Sequence, residues 1–415
     1  MRLGSGACAA LAALCLLVGL SAAPASALVG GRPSLSVTGA CLVEESTGQP
    51  LYGLNPNRQL PIASTTKLMT ALLTLEHEKR LSKIFTQNNY VAASVDSQIG
   101  LTPGERMSVH DLMLAMLIPS ADDAAEDLAY NVGRGSVARF VRMMNARARE
   151  LRLTHTHYTT PIGLDTPGNY SSACDLVKLA RFLLQRHPFF RHLVALPGAT
   201  LHTGRFVRHV ANRNSLIGRV RWINGVKTGH TSGAGYVLVG SGTRSGVTLI
   251  GAVLGTASET ARDANTLALL GYGFAGFRLV EPVAAGQVIA RPPVKDRPGF
   301  HAAVIAAGSL TKVIARSAKL KLRVELPSRL VGPLRRHAVV GRVQVLAAGR
   351  AIGTVRLLLA RRLPAVSPLT IAARFLTRTT TLLVLLGAVI GALVGLAVTR
   401  RVRIGSAEAS PRQSA

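Results

Sequence analysis

The chain has 415 residues, 48% of them hydrophobic and only 4% aromatic, with a formal net charge of +29. Such a charge invites a nucleic-acid partner, but so few aromatic rings give little support for base stacking. The export signal at the start of the chain also argues against one, so no nucleic acid is expected.

Residues 1–27 read as a secretory signal peptide. Arg2 gives the positive start, Ala9 to Leu20 the apolar stretch, and Ala25-Ser26-Ala27 the small-residue cleavage site. Cys8 and Cys15 leave with it, so the mature chain keeps Cys41 and Cys174. An even pair in an exported protein suits a disulfide, and each cysteine also suits a small buried position; both readings stay open. Val37 to Glu44 and Pro50 to Leu54 read as a hairpin turned by Ser46-Thr47-Gly48.

Ser64-Thr65-Thr66-Lys67 then opens a helix over 65–75, whose Leu68, Met69, Leu72, Leu73 and Leu75 are too apolar for a surface helix. A second helix starts behind a Ser108 cap, carries Leu112, Met113, Met116 and Leu117, and stops at Pro119. Ser120-Ala121-Asp122 follows at once. A helical pattern from Val141 and Met144 continues to Glu150 and puts that carboxylate on a solvated face. His155 and His157 lie close together without a Cys, Asp or Glu cluster, so they read as polar surface residues, and neither a metal nor a cofactor is expected. Lys227-Thr228-Gly229 precedes strands at 236–240 and 247–254 around the turn Thr243-Arg244-Ser245-Gly246, and a helix spans 257–274. Helices mixed with antiparallel strands at both ends predict an α/β (α+β) domain over 28–275.

From 276 to 362 short β-branched runs alternate with Gly, Pro and charges, predicting a small all-β domain. It holds 17 Lys/Arg against Glu281, Asp296 and Glu325, a net of +14. Outside a cell such a region meets anionic lipid head groups and wall polymers, with a merely solvated face as the competing reading. Ser309-Leu310-Thr311-Lys312 repeats the Ser-x-x-Lys spacing there, but no Lys-Thr-Gly follows and it reads as coincidence.

Residues 363–378, with Pro364 and Pro368, form a linker. Thr379 to Thr399 is a run of 21 residues without a charge; at about 1.5 Å per residue it spans the ~30 Å hydrocarbon core as a transmembrane helix. Arg400, Arg401 and Arg403 place the tail 400–415 in the cytoplasm. With the leader, this predicts a single-pass protein of the cell membrane whose 28–275 domain is extracytoplasmic. Gly387, Gly391 and Gly395 share one helix face, a spacing that permits a homodimer.

The three short motifs form one mechanism. A serine hydroxyl is a poor nucleophile until a base takes its proton. A lysine three residues later at a helix start lies on the same face, within reach of Ser64. Lys67 acts as base only when burial or a second cation lowers its pKa, and Lys227 is the candidate cation. Ser120 can shuttle the proton to a leaving amine. Lys227 and Thr228 present a cation and a hydroxyl to a substrate carboxylate, and Gly229 keeps the strand bare so that a peptide can lie along it. The backbone N–H groups of Ser64 and His230 are candidates for an oxyanion hole.

On these residues the chain resembles the D-alanyl-D-alanine carboxypeptidases, low-molecular-mass penicillin-binding proteins related in fold to the serine β-lactamases. The likeness extends to Pro61-Ile62-Ala63-Ser64-Thr65-Thr66-Lys67-Leu68-Met69-Thr70, to Pro161-Ile162-Gly163-Leu164-Asp165 with Tyr170-Ser171-Ser172-Ala173, and to Gly225-Val226-Lys227-Thr228-Gly229-His230-Thr231. It implies an antiparallel sheet flanked by helices, removal of the terminal D-Ala from peptidoglycan stem pentapeptides, and acylation by β-lactam antibiotics. It further implies that Arg262 and Arg213 bind the stem-peptide carboxylate.

One position departs from the family, which has asparagine where this chain has Asp122. An ionised carboxylate accepts from the lysine but cannot donate to a substrate carbonyl, and it raises the pKa of Lys67. Slow acylation or a shifted pH optimum is expected. An inactive, peptidoglycan-binding relative is the rival reading. A β-lactamase, with Glu150 in the role of water-activating base, is a weaker one.

Overall fold

The computed structural model describes residues 31–93, 95–376 and 379–407. The signal peptide and the end of the tail lie outside the described residues. The chain divides into two compact units, 31–43 with 50–276, and 44–49 with 277–407.

In the first unit the hairpin strands are β1 (Gly39–Glu44) and β2 (Pro50–Leu54). A 3₁₀ turn (Ala63–Thr66) runs into α1 (Lys67–His77). Next come β3 (Ile84–Thr86), β4 (Arg106–Ser108), α2 (Val109–Leu117), α3 (Asp122–Val132), α4 (Val137–Glu150), α5 (Ala173–Arg186) and α6 (Pro188–Val194). The unit closes with β5 (Gly198–Leu201), β6 (Arg208–Ala211), β7 (Ile223–Thr231), β8 (Gly235–Arg244), β9 (Val247–Thr256) and α7 (Glu259–Gly276).

The main sheet has the order β2-β1-β9-β8-β7, so β7 is an outer strand. Residues alternate between faces along a strand. Val237 and Val239 of β8, with Ile250, Ala252 and Leu254 of β9, join the large core built on α1, α2, α3 and α5. The alternate face meets α7 through small residues: a Cβ on Gly240 would stand 2.8 Å from Thr266, and one on Gly251 3.0 Å from Leu269. Helix α1 is buried on every side from Lys67 to Leu75, as its composition predicts. Ser108 caps α2 by accepting from the Asp111 N–H. Cys41 on β1 and Cys174 on α5 form a disulfide across 133 residues of sequence, which decides between the two readings of that pair.

The second unit is all-β before its C-terminal helices. It contains β10 (Phe277–Val283), β11 (Val288–Ala290), β12 (Pro293–Val294), β13 (Arg297–His301), β14 (Val304–Ala306), β15 (Leu310–Ala315), β16 (Leu320–Glu325), β17 (Val339–Ala347) and β18 (Arg350–Leu359). A five-stranded sheet of order β11-β14-β18-β17-β16 buries Val304, Val343, Val345, Leu357 and Leu359. Ser309 precedes β15 and Lys312 lies within it. Helix α8 (Pro368–Leu376) is followed by α9 (Thr379–Ala407), in which Thr379–Arg400 is long and apolar enough to cross a membrane, with a mean hydropathy of 2.6.

Candidate active site

Three segments distant in sequence meet at the start of α1. The Lys67 ammonium is fully buried and donates to Ser64 Oγ at 2.9 Å, to Asp122 Oδ1 at 2.5 Å and to the Ile162 carbonyl at 3.0 Å. Lys227 Nζ, equally buried on β7, donates to Ser120 Oγ at 2.9 Å and to the Thr228 carbonyl at 2.9 Å. Ser64, Lys67 and Asp122 thus form one hydrogen-bonded group and Ser120 with Lys227 a second, near enough for the charge of Lys67 to act on Lys227.

Unusual backbone holds two of these corners. Ala63 (φ 46°) and Ser120 (φ 71°) both sit in the left-handed region that non-glycine residues rarely adopt. Ser120 occupies the junction where α2 has ended and α3 has not begun, so its hydroxyl stands clear of both helices. The start of α1 is strapped from the other side by 161–170. Thr70 Oγ1 donates to the Pro161 carbonyl at 2.7 Å and Asn169 Nδ2 to Thr66 Oγ1 at 3.2 Å. Gly163 (φ +95°) passes so close that a Cβ would stand 2.0 Å from the Ala63 carbonyl oxygen.

β7 approaches as closely. A Cβ on Gly229 would lie 2.9 Å from the Ser64 backbone nitrogen and 2.9 Å from Ala63 Cβ. Only a bare strand fits here, and the Ser64 amide faces that strand across a narrow gap. His230, next along, stacks its ring on Tyr236 with centroids 3.9 Å apart.

Electrostatics sharpen the picture. Burial pushes the Lys67 amine below its ordinary range, opposed by the carboxylates of Asp122, Asp96 and Asp123. Lys227 is pushed well below its ordinary range by burial first and by the charge of Lys67 second, with Arg213 and Arg262 adding to the repulsion. The expected lysine–lysine repulsion is thus present, but it falls on Lys227, while Lys67 owes its shift to burial. Asp122 works against that shift, as its charge predicts. All three N–H donors of a charged Lys67 are occupied, so the base form arises only by losing the proton it shares with this ring of acceptors.

The two arginines differ. Arg213 is exposed and its Nε donates to the Pro119 carbonyl at 3.2 Å, beside Ser120. Arg262 is buried in α7, and its guanidinium bonds Asp263 and Glu259 at 2.8 Å each. Arg213 is therefore the better placed of the two to meet an incoming anion, since the charge of Arg262 already has two carboxylate partners.

Glu150 ends α4, exposed and paired with Arg147 at 2.8 Å. His157 Nδ1 contacts the Gly168 carbonyl at 2.8 Å, and the His155 N–H donates to Asp175.

Sequence reasoning missed the second ring of polar groups. Asp122 Oδ2 accepts from the Ser97 N–H at 3.0 Å, and the Asp122 N–H donates to the Ser97 carbonyl at 2.6 Å. Tyr90 donates to Asp96 at 2.6 Å. Glu126, one turn beyond Asp122 on α3, is buried and pushed up to about 7, chiefly by burial and then by the Asp122 charge. The available signal was four acids, Asp122, Asp123, Glu126 and Asp127, within six residues of a chain that has only 20.

Comparison with known proteins bears on what this cluster does. Residues 28–258 match the model of a peptidase family described as D-alanyl-D-alanine carboxypeptidase. The D-alanyl-D-alanine carboxypeptidase DacF of Bacillus subtilis is 32% identical over 260 residues, covering 62% of this chain and 67% of the relative. DacC of Escherichia coli, which carries the same enzyme name, is 32% identical over 334 residues, covering 77% of this chain and 82% of its own. The crystal structure of penicillin-binding protein 5 from Haemophilus influenzae matches with a TM-score of 0.66 at 28% identity, covering 80% of this chain and 99% of that one.

Proposed function

Because this chain belongs to the D-alanyl-D-alanine carboxypeptidase family, we propose that Ser64 forms the acyl-enzyme through which it trims peptidoglycan stem pentapeptides. Neutral Lys67 takes the Ser64 hydroxyl proton as Oγ bonds to the penultimate D-Ala carbonyl carbon. The amides of Ser64 and His230 receive the developing oxyanion. The proton passes through Ser120, held by Lys227, to the nitrogen of the terminal D-Ala, which leaves as the C–N bond breaks. Water then attacks the ester and restores Ser64. Lys227, Thr228 and Arg213 receive the terminal carboxylate, with Arg262 behind them as a fixed charge. A β-lactam enters the same path and stops at the ester.

The observation that carries this reading is the 2.9 Å contact between Lys67 Nζ and Ser64 Oγ, matched by the 2.9 Å contact between Lys227 Nζ and Ser120 Oγ. Both lysines are buried, which supplies the depressed pKa a neutral amine base needs.

The wider placement follows the chain's order. The leader and the apolar α9 support a bacterial membrane protein with a C-terminal anchor, an extracytoplasmic catalytic unit over 28–275, a basic β-domain over 276–362 and a cytoplasmic tail. The face shared by Gly387, Gly391 and Gly395 supports a homodimer through the anchor.

The test is mass spectrometry of the protein with a stem pentapeptide and, separately, with benzylpenicillin. The expected results are loss of one alanine and a penicilloyl adduct on Ser64. Ser64→Ala removes both, lowering turnover by at least about 10³-fold. An adduct that persists in that variant refutes the assignment of the nucleophile.

A further inference from the structure

β16, β17 and β18 carry one row of charged side chains across the outer face of their sheet. Glu325 stands opposite Arg342, and Arg342 opposite Arg356. The next residues along, Val343 and Val355, point the other way into the core, so the row faces outward. Arg342 Nε donates to Glu325 Oε2 at 2.6 Å, and Glu325 is the row's only carboxylate. Arg356 is exposed, and its guanidinium has no acceptor among the described residues. Like charges directly opposite on a sheet repel, and here one carboxylate serves two guanidiniums. The row borders a groove of about 550 Å³ whose other walls include Leu326, Pro327, Val339 and Val340. Gly341, also in the lining, brings β17 hard against β16: a Cβ there would stand 2.2 Å from the Glu325 carbonyl oxygen. A guanidinium pair beside apolar walls suits an anion with carbon attached, and phosphate oxygens match the guanidinium fork.

The groove lies at the end of the sheet from which the chain leaves for α9. The Leu334 and Leu363 N–H groups each donate to the other's carbonyl at 2.9 Å, and the His337 N–H donates to the Leu359 carbonyl at 2.9 Å. Residues 334–338 thus run beside 359–363, directly after β18. That pairing sets Arg335 and Arg336 alongside Arg361 and Arg362, all four exposed and none with a carboxylate partner among the described residues. Val339 opens β17 and Val331 precedes the paired segment, and they are 57% and 58% exposed. A polyanion in water asks only for the cations. Arginines interleaved with exposed valines fit a surface that is charged at its head groups and apolar beneath. α9 begins at Thr379, so the chain itself tethers this end close to such a surface.

We propose that this end of the β-domain docks on the anionic phospholipid head groups of the membrane that α9 crosses, with one head-group phosphate held between Arg342 and Arg356 in the groove. The inference rests on the reading of α9 as the anchor. The tether alone brings the domain near the leaflet; the arginines decide which of its faces meets it.

The test reconstitutes the full-length protein in vesicles of phosphatidylcholine, either alone or with a third of it replaced by phosphatidylglycerol. A donor dye is attached at the exposed position 328 through Ser328→Cys, Cys41 and Cys174 being bonded to each other, and the head groups carry the acceptor. Energy transfer is expected to be higher on the anionic vesicles and to fall as salt is raised. Arg342→Gln combined with Arg356→Gln lowers the ratio of docked to undocked protein by at least about tenfold, since each arginine near an anionic surface adds to the attraction. Equal transfer on the two kinds of vesicle, or a double variant that behaves as the wild type, overturns the docking. If the double variant does not fold, the wild type decides, because transfer that salt leaves unchanged overturns it as well. Soluble poly(glycerol phosphate) supplies a further arm. If the protein in neutral vesicles binds that polymer through the same two arginines while the dye stays away from anionic head groups, the groove serves a wall polymer and membrane docking is overturned. A protein that alkaline carbonate strips from the vesicles refutes the anchor reading itself, and the docking falls with it.

Discussion

Each of the two units ends a five-stranded sheet on an outer strand that carries lysine, and the two strands have opposite fates. On β16 the side chains of Lys321, Leu322, Arg323 and Val324 all face water, and Glu325 pairs with Arg342 of the neighbouring strand at 2.6 Å. Charged residues on an open edge keep other strands from adding to it. On β7 the lysine is 1% exposed, the edge is bare at Gly229, and the Ser64 turn stands against it. The same residue type is a hydrated guard on one edge and a desolvated amine on the other. Burial, and with it the loss of hydration, makes the difference, because only a desolvated lysine is pushed towards the neutral form.

The comparison breaks most severely if β7 is moved away from Ser64. In Gly229→Ala the new Cβ meets Val237 Cγ2 at 2.8 Å as well as the Ser64 nitrogen and Ala63 Cβ. Two of those three neighbours belong to the Ser64 turn, and none is the tip of a long flexible side chain. The strand has to shift, which separates Lys227 from Ser120 and widens the gap between β7 and the Ser64 turn. Penicillin acylation measured by stopped flow is expected to fall about 100-fold, since a misplacement near 1 Å costs that much. An acylation rate within threefold of the wild type counts against the bare-edge account.

The parts of the site that could be read from the sequence are those with a local rule. Ser64 and Lys67 share a helix face, Ser120 follows a proline stop, and Lys227 opens a Lys-Thr-Gly run. The buried helix around Leu68 and Leu72 likewise follows from its apolar content, and the hairpin ending at Leu54 from its turn residues. What escaped depends on contacts between distant segments. Nothing in the residue types of Ala63 or Ser120 signals a left-handed backbone; tertiary packing imposes it. Helix α3 was not read from the sequence, and its acids Asp122, Asp123, Glu126 and Asp127 are all buried, which only packing against distant segments brings about. The strap over 161–170 could be seen only as a likeness to a family, and its hold on Thr66, Lys67 and Thr70 needs the folded chain.

Those buried acids sharpen the contrast through pH. Burial pushes Glu126 and Asp127 each up to about 7, and the neighbouring Asp122 adds to the shift of Glu126. A carboxyl whose folded pKa exceeds its unfolded value contributes stability that is fully present below the unfolded value, near 4.5 for Glu126. That contribution is lost as pH rises through the folded value. Thermal stability should therefore decline between about pH 4.5 and 7. Glu126→Gln cannot ionise and should flatten the decline, gaining about 2 kcal/mol on the wild type between pH 5 and pH 8. Melting curves of the two proteins across that range decide the matter. Parallel curves mean that Glu126 stays hydrated and that α3 resembles the exposed edge after all.

A smaller effect tests how far Lys67 has been moved from the hydrated state of Lys321. Asp122 raises the pKa of Lys67 against the pull of burial, so the amine is less depressed than its surroundings alone would make it. Asp122→Asn removes that charge while keeping an oxygen for the lysine to donate to. The neutral fraction of Lys67 rises, and the ascending limb of acylation against pH moves to lower pH. At neutral pH this corresponds to roughly tenfold faster acylation by benzylpenicillin. The structure also sets a counterweight. Asp122 Oδ2 accepts from the Ser97 N–H at 3.0 Å, and an amide nitrogen there would face another donor. The segment bearing Ser97 must yield, or the amide must turn its NH₂ towards the substrate, where it can donate to the peptide carbonyl. Either adjustment loses the Ser97 bond, so a fall in stability of about 1 kcal/mol should accompany the faster reaction. Acylation that is unchanged or slower in Asp122→Asn would mean that burial alone governs Lys67, with the Asp122 carboxylate serving only to hold Ser97 in place.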